Sequence, residues 1–223
     1  MIDNIFRMGI DIDGTVNDFD WQIKQHTEKL LKQVGCPYHD IDYNKYEISE
    51  RYNISEDLAS AILTLFDYRQ LRFNEDFENN CHHLNDPTIE VYFITHRKPD
   101  MQQYGLAYID GVFVPVSTLE QVTRLQLNDL KVRRKDLVFT DDKAKTCREL
   151  RIDLMIEDCP KELENLLDNN ITCLKREFRY NDYIPIGYVR NWDTFLSTFK
   201  NSYVPYLIKT GRYKKFIMEA VNE

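Results

Sequence analysis

Ile5-Phe6-Arg7-Met8-Gly9-Ile10-Asp11-Ile12-Asp13-Gly14-Thr15 is the stretch on which the reading of this chain turns. Its first six residues are an apolar-rich run that predicts a mostly buried strand, and the run stops at a carboxylate. Two carboxylates one residue apart, just past a strand's carboxyl end, stand where open α/β sheets bind their ligands. Asp11 in that position suits a nucleophile and metal ligand, while Asp13, bent away by the turn, suits an acid/base. Gly14 lets the turn form close to a ligand. Two blander readings compete. Asp11, Asp13, Gly14, Val16 and Asp20 fall in the register of a calcium-binding loop, but that register begins at Gly9, which has no ligand atom to offer, and a strand precedes it where a helix is needed. The pair is also compatible with plain turn chemistry.

Working outward, comparable strands are predicted at Ile89–Ile94, ending at Thr95, at Leu137–Phe139, ending at Thr140-Asp141, and at Ile152–Ile156, ending at Glu157-Asp158. Shorter ones are predicted at Ile171–Leu174 and Ile186–Val189, with helical stretches such as Ala144–Leu150 and Lys161–Leu167 between them. Strands alternating with helices imply a parallel sheet with right-handed crossovers. About seventy residues separate Thr15 from Ile89, far more than one crossover helix needs. They contain helix-like segments at Trp21–Val34 and Ser55–Phe73, the second opened by Ser55 with Glu56 and Asp57 in its first turn. The expected fold is therefore α/β: a Rossmann-like parallel sheet flanked by helices, with a small, mainly helical cap inserted after the first strand. The expected division is a core of residues 1–17 and 81–200, a cap of 18–80 and a helical tail of 201–223. The stretch Lys98–Lys135 matches no clear pattern.

The 223 residues are 43% hydrophobic and 13% aromatic, too apolar for a disordered chain. With 29 Lys and Arg against 37 Asp and Glu, the net charge of −8 argues against broad binding to nucleic acid, which needs a basic face. No apolar run approaches the roughly 18 residues that span a bilayer, and Met1-Ile2-Asp3-Asn4 does not begin like a signal peptide. Five cysteines without a C-x-x-C pair read as free thiols in a reducing compartment, so the expectation is a soluble, cytoplasmic protein without membrane partners. There is no P-loop and no dinucleotide fingerprint. Cys81-His82-His83 is at most half of a zinc site, because no second cluster has ligand spacing.

Asp11-Ile12-Asp13-Gly14-Thr15 resembles the first motif of the haloacid dehalogenase superfamily. Phe93-Ile94-Thr95 resembles the second, Lys143 at the start of a helix the third, and Met155-Ile156-Glu157-Asp158 the acidic fourth. The motifs come in order and spread over most of the chain. Asp13 is the residue that separates the superfamily's phosphatases from its dehalogenases. Asp18-Phe19, Thr95-His96-Arg97, Arg179-Tyr180-Asn181 and Val189-Arg190-Asn191-Trp192 are similar to the 5′(3′)-deoxyribonucleotidase-like branch, which also carries a helical cap between its first two motifs. Glu157 departs from the pattern, since many members have Asp there. Asp141-Asp142 is a decoy for the fourth motif, with Lys131 or Lys135 then standing as the third; Glu157-Asp158 is preferred because Lys143 can then open the helix between the two strands. Lys145 is a substitute for Lys143, and Asp141 reads as the N-cap of that helix.

The resemblance implies an Mg²⁺-dependent phosphomonoesterase. Mg²⁺ suits Asp11, the Asp13 carbonyl, Asp158, water and a phosphate oxygen. Asp11 would attack phosphorus to give an aspartyl-phosphate, and Asp13 would protonate the leaving oxygen and later take a proton from water. Thr95 would donate its hydroxyl to the phosphate, and Lys143 would offset the crowded charge. His96 and Arg97 are placed to bind phosphate or sugar, and Phe19 is the aromatic best placed to stack on a base. The expected substrate is a nucleoside monophosphate; another small phosphate ester such as a sugar phosphate, or a non-enzymatic binding role on the same fold, stands as the alternative.

Overall fold

A computed structural model of the chain describes residues 5–36, 38, 41–109, 111–130 and 132–203. The chain enters through β1 (Phe6–Ile10), passes the helices α1 (Phe19–Gln33), α2 (Ile48–Tyr52), α3 (Glu56–Thr64) and α4 (Glu75–Asn80), and returns in β2 (Ile89–Thr95). A hairpin of β3 (Gln102–Ile109) and β4 (Val112–Thr118) follows, then α5 (Leu119–Asp129). The rest runs β5 (Arg134–Phe139), α6 (Lys143–Leu150), β6 (Leu154–Glu157), α7 (Pro160–Asp168), β7 (Cys173–Arg176), β8 (Tyr188–Val189) and α8 (Trp192–Thr198).

Six strands form one sheet in the order β5-β2-β1-β6-β7-β8, and each neighbouring pair is parallel. The expected α/β sheet is present. β1 lies inside it, which is why its residues are apolar on both faces. Phe6, Met8 and Ile10 join a cluster with Phe77 of α4, Leu127 of α5, and Trp192 and Leu196 of α8. The opposite face is covered by Ala144 and Cys147 of α6 and by Leu163 and Leu166 of α7, packed on Tyr92, Ile94 and Met155. Gly9 lies under that second cover, where a Cβ would come within 2.7 Å of Met155 Sδ. A third cluster gathers Ile23 and Leu31 of α1, Ile48 and Tyr52 of α2, and Ala59 and Ile62 of α3. Ala107 and Val116 of the hairpin and Leu119 and Val122 of α5 share it, so the unassigned stretch Lys98–Lys135 builds part of the inserted helices' own core.

The helix expected over Ser55–Phe73 is shorter. Ser55 caps it as expected, accepting from the Leu58 N–H, but α3 ends at Thr64. Asp67 then starts a separate 3-10 turn by accepting from the Arg69 N–H, and the Gln103 side chain takes the Tyr68 N–H. Side-chain acceptors thus replace the carbonyls that a continuing helix would have used. Of the helical tail expected over 201–223, residues 204–223 lie outside the described residues; Phe199–Tyr203 forms a π-helical turn. Among the described residues, no helix is long and apolar enough to cross a membrane.

Trp192 ties the far end of the chain to the first loop. It is fully buried, lies 4.8 Å from the Phe77 ring, and donates its indole N–H to the Thr15 carbonyl at 3.1 Å. Trp192→Phe keeps most of the apolar contact but removes that donor, and should cost about 1–3 kcal/mol; Trp192→Ala should cost about 3–5 kcal/mol. Urea denaturation that finds Trp192→Phe neutral would exclude a contribution from the hydrogen bond.

Candidate active site

Four strands deliver the side chains. β1 ends at Asp11, whose N–H is held by the Ile156 carbonyl of β6 at 2.9 Å. β2 ends at Thr95, β6 ends at Glu157, and β5 leads through Thr140 into α6, which opens with Lys143. Because these strands are parallel neighbours, their carboxyl ends meet at one edge of the sheet.

Asp11, Glu157 and Asp158 are all buried and present carboxylate oxygens within 4.8 Å of one another. Lys143, only 2% exposed, donates to Asp11 Oδ1 at 2.6 Å and to Glu157 Oε2 at 2.5 Å. The other oxygen of Glu157 accepts the N–H groups of Asp158 and Cys159, both at 3.0 Å. Asp158 receives the Thr15 hydroxyl at 3.2 Å and the Tyr180 hydroxyl at 2.7 Å, and its carbonyl accepts from Asn181 Nδ2 at 2.8 Å. No lysine or arginine pairs with it among the described residues. Burial, with Glu157 reinforcing it and Lys143 opposing it, pushes the Asp11 carboxyl up to about 7. Burial and the same neighbouring carboxylates push Asp158 well above the ordinary range. Buried oxygens in this electrostatic state favour a hard divalent cation, and carboxylates are the ligands Mg²⁺ takes. Gly14 explains itself here: its φ is +80°, and a Cβ would lie 2.5 Å from Asp158 Oδ2.

Asp13 stands apart from that cluster. Arg97 holds it in a fork, Nε to Oδ2 at 2.8 Å and Nη2 to Oδ1 at 2.6 Å, and Asn17 Nδ2 adds a bond at 3.0 Å. The same guanidinium donates to Thr123 Oγ1 of α5 at 2.8 Å and lies over the Tyr68 ring at 5.2 Å. Arg97 is thus turned to Asp13, not left open to phosphate or sugar as its place in the sequence suggests.

A cavity of about 370 Å³ connects these groups to the inserted helices. Its wall contains Asp11, Asp13, Thr95, His96, Lys143, Asp158 and Phe19, so all the site residues expected from sequence meet in one place. The Thr95 hydroxyl accepts from the Arg97 N–H at 3.2 Å, which leaves its own hydrogen free to donate. The His96 ring is partly exposed, with Nε2 3.7 Å from Glu162 Oε2. Phe19 is committed to packing, stacked on Tyr68 at 6.0 Å and edge-on to Phe66 at 5.5 Å. Lys145 points to solvent near Glu149, and Asp142 rather than Asp141 caps α6, accepting from the Lys145 N–H at 2.9 Å. An Asx cap takes the residue directly before the first helical one, which moves the cap one place along. Glu157 was expected in the acidic fourth motif, but its bond to Lys143, the Tyr180 contact to Asp158 and the Arg97 fork are the parts that sequence reasoning missed. Tyr180 and Arg97 both fell in motifs singled out in the sequence, but nothing there showed which carboxylates they would meet.

No protein-family model matches the sequence, and no curated protein matches it. Solved structures do match in shape. A haloacid dehalogenase-like hydrolase from Streptococcus pneumoniae superimposes with a TM-score of 0.58 at 13% identity, covering 88% of this chain and 99% of that one. A predicted phosphoglycolate phosphatase from Haemophilus somnus gives 0.53 at 12%, covering 88% and 99%. A Thermotoga maritima protein described as a beta-phosphoglucomutase gives 0.52 at 12%, covering 89% and 100%. The chain shares its fold with these proteins. At such identities the likeness concerns architecture alone.

Lys143 compensates two buried acids, so Lys143→Met should destabilise the fold by about 3–5 kcal/mol at pH 8. Without the ammonium, the already raised Asp11 carboxyl holds its proton more tightly in the folded state. A raised carboxyl contributes stability that is lost as pH rises through its folded value, and that value is higher in the variant than the wild-type value of about 7, so the deficit should shrink as pH falls toward about 7 and level off below it. Thermal melts showing the same deficit at pH 5.5 and pH 8 would contradict this.

Proposed function

We propose that the protein is a metal-dependent phosphomonoesterase acting on a small phosphate ester. The observation that carries the reading is the buried cluster of Asp11, Glu157 and Asp158 around Lys143, opening on a cavity beside Thr95 and Asp13. Asp11, Asp158 and the Asp13 carbonyl would hold Mg²⁺, with Glu157 engaged by Lys143 and two backbone N–H groups. When bound, the ion would offset the negative charge of the phosphate oxygens.

Asp11 supplies the nucleophile: an oxygen forms a bond to phosphorus as the bond to the alcohol oxygen breaks, and the bonding pair leaves with that oxygen. Asp13 donates the proton that the departing oxygen takes up, then accepts one from the water that attacks the aspartyl-phosphate. In the structure both Asp13 oxygens are engaged by Arg97, so its service begins with release from that fork. The Thr95 hydroxyl and the Lys143 ammonium face the phosphoryl group from two sides and stabilise charge that grows on its oxygens. The inserted helices, with the hairpin packed among them, form the cap that keeps bulk water out.

The substrate class favoured is an organic phosphate of the size of a sugar phosphate. A cavity near the lower end of ordinary ligand pockets suits it, and the structural neighbours include proteins described by such activities. A nucleoside monophosphate is the second reading. It is supported by the Tyr46, Tyr68 and Tyr180 rings in the cavity wall but is weakened by the packing of Phe19.

Phosphate release from p-nitrophenyl phosphate should require Mg²⁺, and Asp11→Asn should abolish it while leaving the fold intact by circular dichroism. Undiminished release in excess EDTA, or substantial turnover by that variant, would overturn the mechanism. Asp13→Asn should cost alkyl esters at least about tenfold more than the aryl ester, whose phenolate leaves with less help from an acid. Equal losses would reassign Asp13 to holding the turn. A screen led by nucleotides over sugar phosphates would restore the second reading.

A further inference from the structure

The walls of the cavity carry more negative charge than the phosphatase chemistry needs. Eight carboxylates line it against three permanently charged cations, Arg51, Arg97 and Lys143. Each of those cations is already taken. Lys143 lies between Asp11 and Glu157, Arg97 grips Asp13, and Arg51, itself buried, pairs with Asp20 at 2.8 Å. Glu47 is matched from outside the cavity by Lys161 at 2.6 Å.

Two acids away from the metal cluster are left without a lysine or arginine partner among the described residues. Glu56, exposed at the rim of the cavity at the start of α3, receives only the Ser49 hydroxyl at 2.7 Å. Glu162, in the first turn of α7, has a buried Oε2 with no hydrogen-bond donor, and His96 Nε2 stands 3.7 Å away, beyond bonding distance. The wall also presents the rings of Tyr46, Tyr68 and Tyr180. Surplus carboxylates in a recess bounded by aromatic faces repel an anionic group and attract a cationic one.

We propose that the alcohol part of the substrate carries an ammonium group: the substrate is the phosphate monoester of an amine-bearing alcohol, amino sugar phosphates included. Glu56 and Glu162 are the carboxylates that receive it. A carboxylate-bearing ester such as phosphoglycolate is the class that the cavity rejects. This rests on the phosphomonoesterase reading and specifies its substrate.

Two size-matched pairs of esters test it, phosphoethanolamine with phosphoglycolate and glucosamine 6-phosphate with 6-phosphogluconate, with p-nitrophenyl phosphate as reference. The ammonium ester should exceed its carboxylate partner in kcat/KM by at least about tenfold in each pair, the size of effect that charge complementarity gives. Glu56→Gln or Glu162→Gln should lower that ratio at least about threefold by removing one of the attracting charges. Carboxylate esters turned over as well as their ammonium partners, or a ratio unmoved in both variants, would overturn the inference while leaving the phosphatase intact. No Mg²⁺-dependent release from any ester, p-nitrophenyl phosphate included, would overturn the phosphatase reading and this inference with it.

Discussion

Asp11, Glu157 and Asp158 are brought together at the ends of two neighbouring strands, where water is excluded and like charges repel. Such a group persists only if something opposes its charge, and Lys143 does so from the first turn of α6, with its ammonium against two of the three acids. A lysine at the amino end of a helix works against the helix dipole, so its position makes sense only as an answer to the acids across from it. Around this core the remaining polar groups are distributed accordingly. Backbone N–H groups hold Glu157, two hydroxyls hold Asp158, and Gly14 lacks the carbon that would displace that carboxylate.

The second ion pair of the site has a different reach. Arg97 grips Asp13 and, through Thr123, touches α5; Gln126 of α5 donates in turn to the carbonyls of Tyr68 and Leu71. Leu119 and Val122 on the same helix pack among the inserted helices. The acid/base candidate and the roof of the cavity are therefore joined through one helix, and a shift in either is felt by the other.

Much of this was legible in the sequence because strands buried on both faces leave apolar runs. Ile5–Ile10 and Ile89–Ile94 stand out as such, and the residues at which these runs stop are the ones that face the cavity. Lys143 was legible from its place just before a helical stretch between two strands. Arg97 was not, because nothing local to Thr95-His96-Arg97 shows that a carboxylate 84 residues earlier turns toward it. Tyr180 was noticed for its motif, yet its contact to Asp158 depends on how β7 and β8 close the sheet edge. The hairpin over Lys98–Lys135 escaped because its outer strand residues Tyr104, Leu106 and Phe113 are exposed and apolar, which blurs the alternation that reveals a two-sided strand.

The link between Trp192 and the Thr15 carbonyl spans 177 positions, and Asn181 reaches the Asp158 carbonyl from 23 positions further along. The loop that carries Asp11 is made well before the residues that last support it. During synthesis the acids around Asp11 therefore wait for partners that do not yet exist, and the sheet cannot close over its first strand until β6 has been made. Assembly of this site waits on segments made long after its first loop, with the long loop closures and slow folding that such sequence separation entails.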